Sequence, residues 1–185
     1  MNIDAKTADL KSQDDDYWIE RMSTDTAAFE IIYDRYLPKI SRYIYRKVGD
    51  QLATEEITAL VFFHAVEGIM KGKYPPRNKF AAWLFSIARA KIADHFRKRR
   101  TVSIDDIPEQ VTNPAIGEHV AFENRKLEKG FSRLTQAEQE LLALRFSADL
   151  DFNTIAHILH KSAAAVKMAT YRALNKLRKS MEGIE

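Results

Sequence analysis

Apolar residues recur along this chain at three- and four-residue spacing, which is the period of an α-helix with one buried face. Phe29, Ile32, Tyr33, Tyr36, Ile40, Tyr43, Ile44 and Val48 predict a helix over Thr26–Val48, stopped by Gly49-Asp50, with Pro38 set to kink it or begin a new turn. A short helix is expected over Asp14–Met22, with the Asp run at its positive end. The next helix, Ala53–Met70, is different. Ile57, Leu60, Val61, Phe63, His64 and Val66 are spread around much of its circumference, so it is either buried on two sides or covered by a partner. After a loop broken by Gly72 and Pro75-Pro76, a third long helix is predicted over Phe80–Arg100, its apolar half being Phe80, Trp83, Leu84, Ile87, Ala88, Ile92 and Phe96.

Periodicity lapses over Thr101–Gly117, where Pro108 and Pro114 lie, and helix is expected again near Glu118. Thr135 and Glu138 have the spacing of a capping box, the reciprocal pair that starts a helix. The stretch Leu150–Leu177 then reads as two helices around a sharp turn. Ile155, Ala156, Ile158 and Leu159 form the inner face of the first. His160 takes the turn, where a left-handed backbone is needed, and Ser162 caps the second. In the second helix Val166, Ala169 or Thr170, Ala173, Leu174 and Leu177 make the buried stripe. Ala164, Ala165, Lys167, Met168, Tyr171 and Arg172 face outward, with Lys176 further along. A short helix, a tight turn and a longer basic helix match a helix-turn-helix, whose second helix enters the DNA major groove.

Composition narrows the class. At 185 residues the chain holds one medium domain or two small ones, and with no cysteine it has neither disulfides nor thiolate metal sites. The scattered histidines make no metal set, there is no phosphate loop or nucleophile motif, and no cofactor is expected. No signal segment or membrane span is read from the sequence, so a cytoplasmic location without membrane insertion is expected. The overall charge of +3 conceals four blocks: −5 over residues 1–30, +9 over 31–100, −5 over 101–123 and +4 over 124–185. Two basic blocks separated by an acidic one fit two nucleic-acid contacts and a connecting segment that avoids or imitates nucleic acid. The expected fold is therefore all-α: a disordered leader at 1–13, a helical domain at 14–100, a flexible acidic linker at 101–123 and a helix-turn-helix domain at 124–185.

In the upstream basic unit Trp83 and Phe85 stand among Arg77, Lys79, Arg89 and Lys91, and interleaved aromatics and cations suit single-stranded DNA, although Trp83 taken singly reads more readily as core. The run Arg97, Lys98, Arg99 and Arg100 exceeds what a helix end needs and points to phosphate contact.

Three blocks carry a resemblance. AFEIIYDRYLPKISRYIYRKVGD at 28–50, FAAWLFSIARAKIADHFRKRR at 80–100 and LTQAEQELLALRFSADLDFNTIAHILHKSAAAVKMATYRALNKLRK at 134–179 resemble, in that order, the opening helix pair, the promoter-melting helix and the C-terminal helix-turn-helix of the extracytoplasmic-function (ECF) sigma factors of the sigma-70 family. The resemblance implies a factor that directs core RNA polymerase to promoters. It assigns Glu56, Ile57, Leu60, Val61, Phe63 and His64 to docking on a coiled coil of the polymerase largest subunit. It assigns Lys73, Arg77, Asn78, Lys79, Trp83, Arg89, Lys91, His95 and Arg97 to Arg100 to the melted −10 strand, with a flipped base held by the Lys71–Lys79 loop. Ala164, Ala165, Lys167, Met168, Tyr171, Arg172 and Lys176 would read the −35 duplex. The acidic linker would thread towards the polymerase cleft, and an anti-sigma partner is a common accompaniment. The chain departs from the family pattern in places: Ala59-Leu60 replace a frequent Gln-Glu, Ala90 a common Asn, and Met168-Ala169 a frequent Ser-Arg. Base reading then falls to Tyr171, Arg172 and contact of Met168 with thymine methyls. Two other readings remain open from the residues, a stand-alone helix-turn-helix regulator and a sigma-like adaptor for a protein partner; no enzymatic site is found.

Overall fold

A computed structural model describes residues 14–22, 24–75, 79–102 and 126–182. Helices are the regular elements among these residues, and the chain divides into two compact units, Met1–Ile104 and Asp105–Glu185. None of the described helices is long and apolar enough to cross a membrane.

The first unit contains α1 (Asp15–Arg21), α2 (Thr26–Val48), α3 (Gln51–Met70) and α4 (Phe80–Val102). Asp25 starts α2 by accepting from the Ala27 N–H at 2.9 Å, and Asp50 starts α3 by accepting from Ala53 N–H at 2.7 Å. Between them Gly49 takes φ 73°, the left-handed conformation that lets α2 end and α3 begin with almost no loop. Pro38 neither ends α2 nor starts a new element. Pro38 and Asp34 are both exposed, so the carbonyl one turn back that loses its donor is on the wet side of the helix.

The core of this unit lies among α2, α3 and α4. Ile32, Ile40, Tyr43 and Ile44 meet Ile57, Val61, Phe62 and Ala65, and Phe80, Leu84, Phe85, Ala88 and Ile92 close the third side. Aromatic edges lock the register: Tyr36 against Phe80 at 5.2 Å and Tyr43 against Phe85 at 5.4 Å between ring centroids. The helix α4 runs to Val102, so the first two residues of the expected linker are helical.

The second unit contains α5 (residues 126–132), α6 (Gln136–Leu142), a single wide π turn (Ala143–Ser147), α7 (Phe152–Leu159) and α8 (Ala163–Glu182). The capping box at the start of α6 is formed in both directions: Thr135 Oγ1 accepts from Glu138 N–H, and the Glu138 carboxylate accepts from Thr135 N–H at 2.8 Å. Leu134, Leu142 and Ala173 make a buried cluster with Phe131, Leu174 and Leu177 packed on it, and Leu144, Ile155, Ile158 and Val166 fill the rest of the interior. The leader, residues 103–123 of the expected linker and the helix expected between 118 and 125 lie outside the described residues.

Candidate nucleic-acid interface

The turn between α7 and α8 has the expected chemistry. His160 adopts φ 52°, ψ 48°, and Ser162 Oγ accepts from the Ala165 N–H at 3.2 Å. Asp151 caps α7 by accepting from the N–H groups of Asn153 and Thr154 at 2.8 and 2.9 Å. Burial pushes the Asp151 carboxyl up, but hydrogen bonds from the Thr154 hydroxyl and from the Thr154 and Asn153 N–H groups outweigh it and hold the group below the usual carboxylate range. The helix α8 buries Val166, Thr170 and Ala173 on one side and presents Ala164, Ala165, Lys167, Met168, Tyr171 and Arg172 on the other. Small residues in the first turn leave room for a base edge or phosphate to approach the helix closely. Further along, Arg172, Asn175, Lys176, Lys179 and Ser180 line a shallow basic groove. Lys176 donates to Glu138 at 2.8 Å, and that bond is the leading reason the Glu138 carboxyl titrates below its ordinary value.

The first unit answers less simply. Phe85 is fully buried against Tyr43, so it is removed from the candidate stacking residues: α4 has neighbours on two sides, and this position faces them. Trp83 is half-buried among Gly68, Tyr74 and Phe80. A Cβ at Gly68 would lie 2.8 Å from the Trp83 ring, so the glycine is what admits the indole between α3 and α4. His95 is half-buried with Nε2 enclosed by protein, which takes that nitrogen away from an approaching strand. Lys73, Lys79, Arg89, Arg97 and Lys98 are exposed, Lys91 and Arg99 are partly covered, and Arg97 pairs with Asp94 at 2.8 Å. Arg77, Asn78 and the Arg100 side chain lie outside what is described.

On α3 the apolar positions are of two kinds. Ile57 and Val61 are buried in the unit's own core, so neither offers a docking surface and both leave the candidate set. Leu60 and Phe63 are bared to solvent, Glu56 is exposed and His64 half so. Sequence reasoning missed Leu52 and Met70, which are 77% and 63% exposed at the two ends of the same helix. Both fall outside the inner stripe of Thr54, Ile57, Thr58, Val61, Phe62 and Ala65, a stripe that periodicity on a helix apolar almost all round does not mark. His64 Nδ1 lies 3.4 Å from Glu67, and a hydrogen bond from Lys71 at 2.7 Å lowers the Glu67 carboxyl.

Two carboxylates of α1 were read only as dipole partners, and the structure gives them more. Asp15 accepts from Arg35 Nη1 at 2.5 Å and from the Tyr36 hydroxyl, and Asp16 accepts from the hydroxyl of Tyr74, 58 residues away. Burial, then the adjacent carboxylate, drives both phenols above their ordinary range and keeps them as donors. The Tyr74 ring packs in turn on Phe80 and Trp83, so α1 braces the described start of the loop before α4.

Comparison with known proteins follows the same two-part division. Residues 32–102 match the family model for Sigma-70 region 2, and residues 130–179 match that for Sigma-70, region 4, together nearly two thirds of the chain. The chain is similar to the ECF RNA polymerase sigma factor BldN of Streptomyces coelicolor, 33% identical over 166 residues that cover 86% of this chain and 62% of that one. It is similar to the ECF RNA polymerase sigma factor SigX of Bacillus subtilis, 26% identical over 173 residues covering 83% of this chain and 84% of the other. Among solved structures, CnrH in complex with the cytosolic domain of CnrY shares the fold with a TM-score of 0.68 at 18% identity, covering 92% and 99% of the two chains. The chain spans less than two thirds of BldN and most of SigX and CnrH. Two region models in the order of the two compact units, supported by relatives of one kind across most of the sequence, place this chain in the sigma-70 family, in its extracytoplasmic-function group.

Proposed function

We propose that this protein binds core RNA polymerase and directs it to promoters through two DNA contacts, one in each helical unit. The observation that carries the reading is the exposed face of α8. Lys167, Met168, Tyr171 and Arg172 stand on a helix whose start is fixed by a left-handed turn and a serine cap, beside a first turn of alanines. Such a face suits the major groove, where Arg172 bonds guanine or phosphate and Met168 meets a thymine methyl.

The domain roles follow. Residues 14–100 take the polymerase and the opened −10 strand, residues 101–123 cross the polymerase cleft as an acidic strand mimic, and residues 124–185 read the −35 duplex. Exposed Leu60 and Phe63, joined by Leu52 and Met70, form an apolar surface of the kind that a partner covers. The largest-subunit coiled coil is the assigned occupant. On α4, Lys79, Arg89, Lys91 and the cations from Arg97 onward serve strand phosphates, while Trp83 shapes the surface from its seat on Gly68. The factor works by binding alone, in the cytoplasm, and performs no chemistry of its own. A regulatory anti-sigma partner would compete for the same apolar face.

Run-off transcription with core polymerase on a genomic-fragment library tests this. Transcripts that depend on the protein and start downstream of a shared two-part motif are expected. Tight polymerase binding without transcripts would favour the adaptor reading, and duplex binding without polymerase binding the stand-alone regulator. Replacing Arg97 to Arg100 by alanine should lower promoter affinity and its salt dependence together, since each phosphate contact releases counterions. An unaltered salt slope would place these residues away from the DNA.

A further inference from the structure

We infer that Arg145 and Phe152 set sequence preference in the helix-turn-helix by holding the Tyr171 side chain in one orientation. The inference rests on the reading that α8 enters the major groove. Tyr171 is half exposed on the groove side of α8. A tyrosine standing alone on a helix surface exchanges between rotamers and offers a blurred edge to the bases; one that packs against a fixed ring does not. The Phe152 ring lies 6.5 Å from that of Tyr171, inclined at 52°, within the range where aromatic pairs attract.

Phe152 is itself fixed from two directions. It is the first residue of α7, directly after the Asp151 cap, which accepts from two backbone N–H groups and from the Thr154 hydroxyl at 2.7 Å. Arg145 lies over it, with Cζ 5.2 Å from the ring centroid. Arg145 also donates from Nη1 to the Leu150 carbonyl at 2.8 Å, so one guanidinium holds both the ring and the backbone that leads into α7.

The position of Arg145 depends on the π turn. Ala148 N–H reaches back five residues to the Ala143 carbonyl at 3.0 Å, Leu150 N–H bonds to Leu144 at 3.2 Å, and Asp149 between them takes φ 52°. This widened turn, an irregularity that often accompanies functional sites, brings α6 round to α7 and sets Arg145 over Phe152. A line of contacts thus runs from the π turn through Arg145 and Phe152 to Tyr171. Neither Arg145 nor Phe152 needs to touch DNA. They act as positioning residues, and Tyr171, with Met168 one turn before it, meets the base pair. An apolar ring edge next to a thioether suits the thymine methyl, so an A·T pair is the assigned target.

The test is selection of promoters from a library randomised through the upstream element, using core polymerase loaded with full-length wild type, Phe152→Leu, Tyr171→Leu, the double variant, or Phe152→Tyr. Phe152→Leu and Tyr171→Leu should flatten preference at the same base pair, roughly 3- to 10-fold, and leave the other positions alone. The double variant should do no more than Tyr171→Leu, while Phe152→Tyr, which keeps the ring, should preserve the preference. Arg145→Lys should give a smaller loss at that same pair, because an ammonium lacks the flat face that covers the ring. A merely structural role for Phe152 would weaken all positions equally, and that result, or an intact preference in Phe152→Leu, overturns the inference. A wild-type protein that enriches no upstream element at all would instead overturn the promoter reading beneath it.

Discussion

The helices α4 and α8 are of similar length, 23 and 20 residues, and both carry aromatics among cations, yet they spend those aromatics in opposite ways. In α8 a narrow inner stripe of Val166, Thr170 and Ala173 leaves Tyr171 half exposed. In α4 the buried set of Phe80, Ala82, Leu84, Phe85, Ala88 and Ile92 is broad, since α2 and α3 between them cover a wider arc of it than α6 and α7 cover of α8. Phe85 is consumed by that second contact, and Trp83 is half consumed. Each helix packs against two others, so an aromatic between cations stays bare only where it lies outside the arc those neighbours cover, and where they arrive is not written in its own residues.

Substitutions of the two aromatics give the largest contrast. Phe85→Ala should cost about 3–5 kcal/mol of stability in denaturant unfolding, the usual price of emptying a buried ring site. Tyr171→Ala should cost no more than about 1.5 kcal/mol, the worth of its half-exposed ring contact with Phe152, while weakening promoter binding. Equal destabilisation by the two would break the comparison. Next in size, Gly68→Ala forces a methyl into the Trp83 ring and should cost about 1–3 kcal/mol as overpacking. A neutral result in thermal melting would mean that Trp83 moves freely and remains available to a DNA strand.

Arg172→Ala should leave unfolding unchanged and weaken binding to a selected promoter by roughly 1–3 kcal/mol per lost base contact. Unchanged binding would reject its role. His160→Gly should stabilise the second unit by about 1 kcal/mol, since glycine takes the left-handed turn without the Cβ penalty. A fall in melting temperature would show that the imidazole contributes more than a turn.

The smallest effect concerns Asp151. Its folded carboxyl titrates below the ordinary aspartate range, so its contribution to stability is complete above the unfolded value, about 4, and fades as pH falls through the lowered folded value. Asp151→Asn keeps a capping oxygen but removes this titration. The variant should therefore lose less stability than the wild type on acidification from about pH 5 to pH 3, followed by thermal melts. Parallel acid limbs would place the titrating cap elsewhere.

Much of the second unit was legible because its determinants are local. Thr135 with Glu138, His160 at the turn and Ser162 after it each act within a few residues, and the outward face of α8 follows from one stripe of periodicity; the Asp151 cap is as local but was not singled out. In the first unit the stop of α2 at Gly49 was equally readable, but α3 begins at Gln51, capped by Asp50, rather than at the expected Ala53, and the faces were not readable. Periodicity alone did not separate Ile57 and Val61, which go inward, from Leu60 and Phe63, which stay bare, on a helix apolar almost all round.

The sequence by itself determined the all-helical class, the helix starts and stops at its caps and left-handed turns, and the segregation of charge, since each depends on the residue and its near neighbours. Tertiary structure alone decided that Asp15 and Asp16 grip Tyr36 and Tyr74, that Trp83 settles on Gly68, that Phe85 is core, and that Arg145 and Phe152 back Tyr171. These contacts join residues up to 58 positions apart. Whether an aromatic or a carboxylate is buried, bonded or bare depends on which distant helix arrives beside it, and packing supplies that information while periodicity does not.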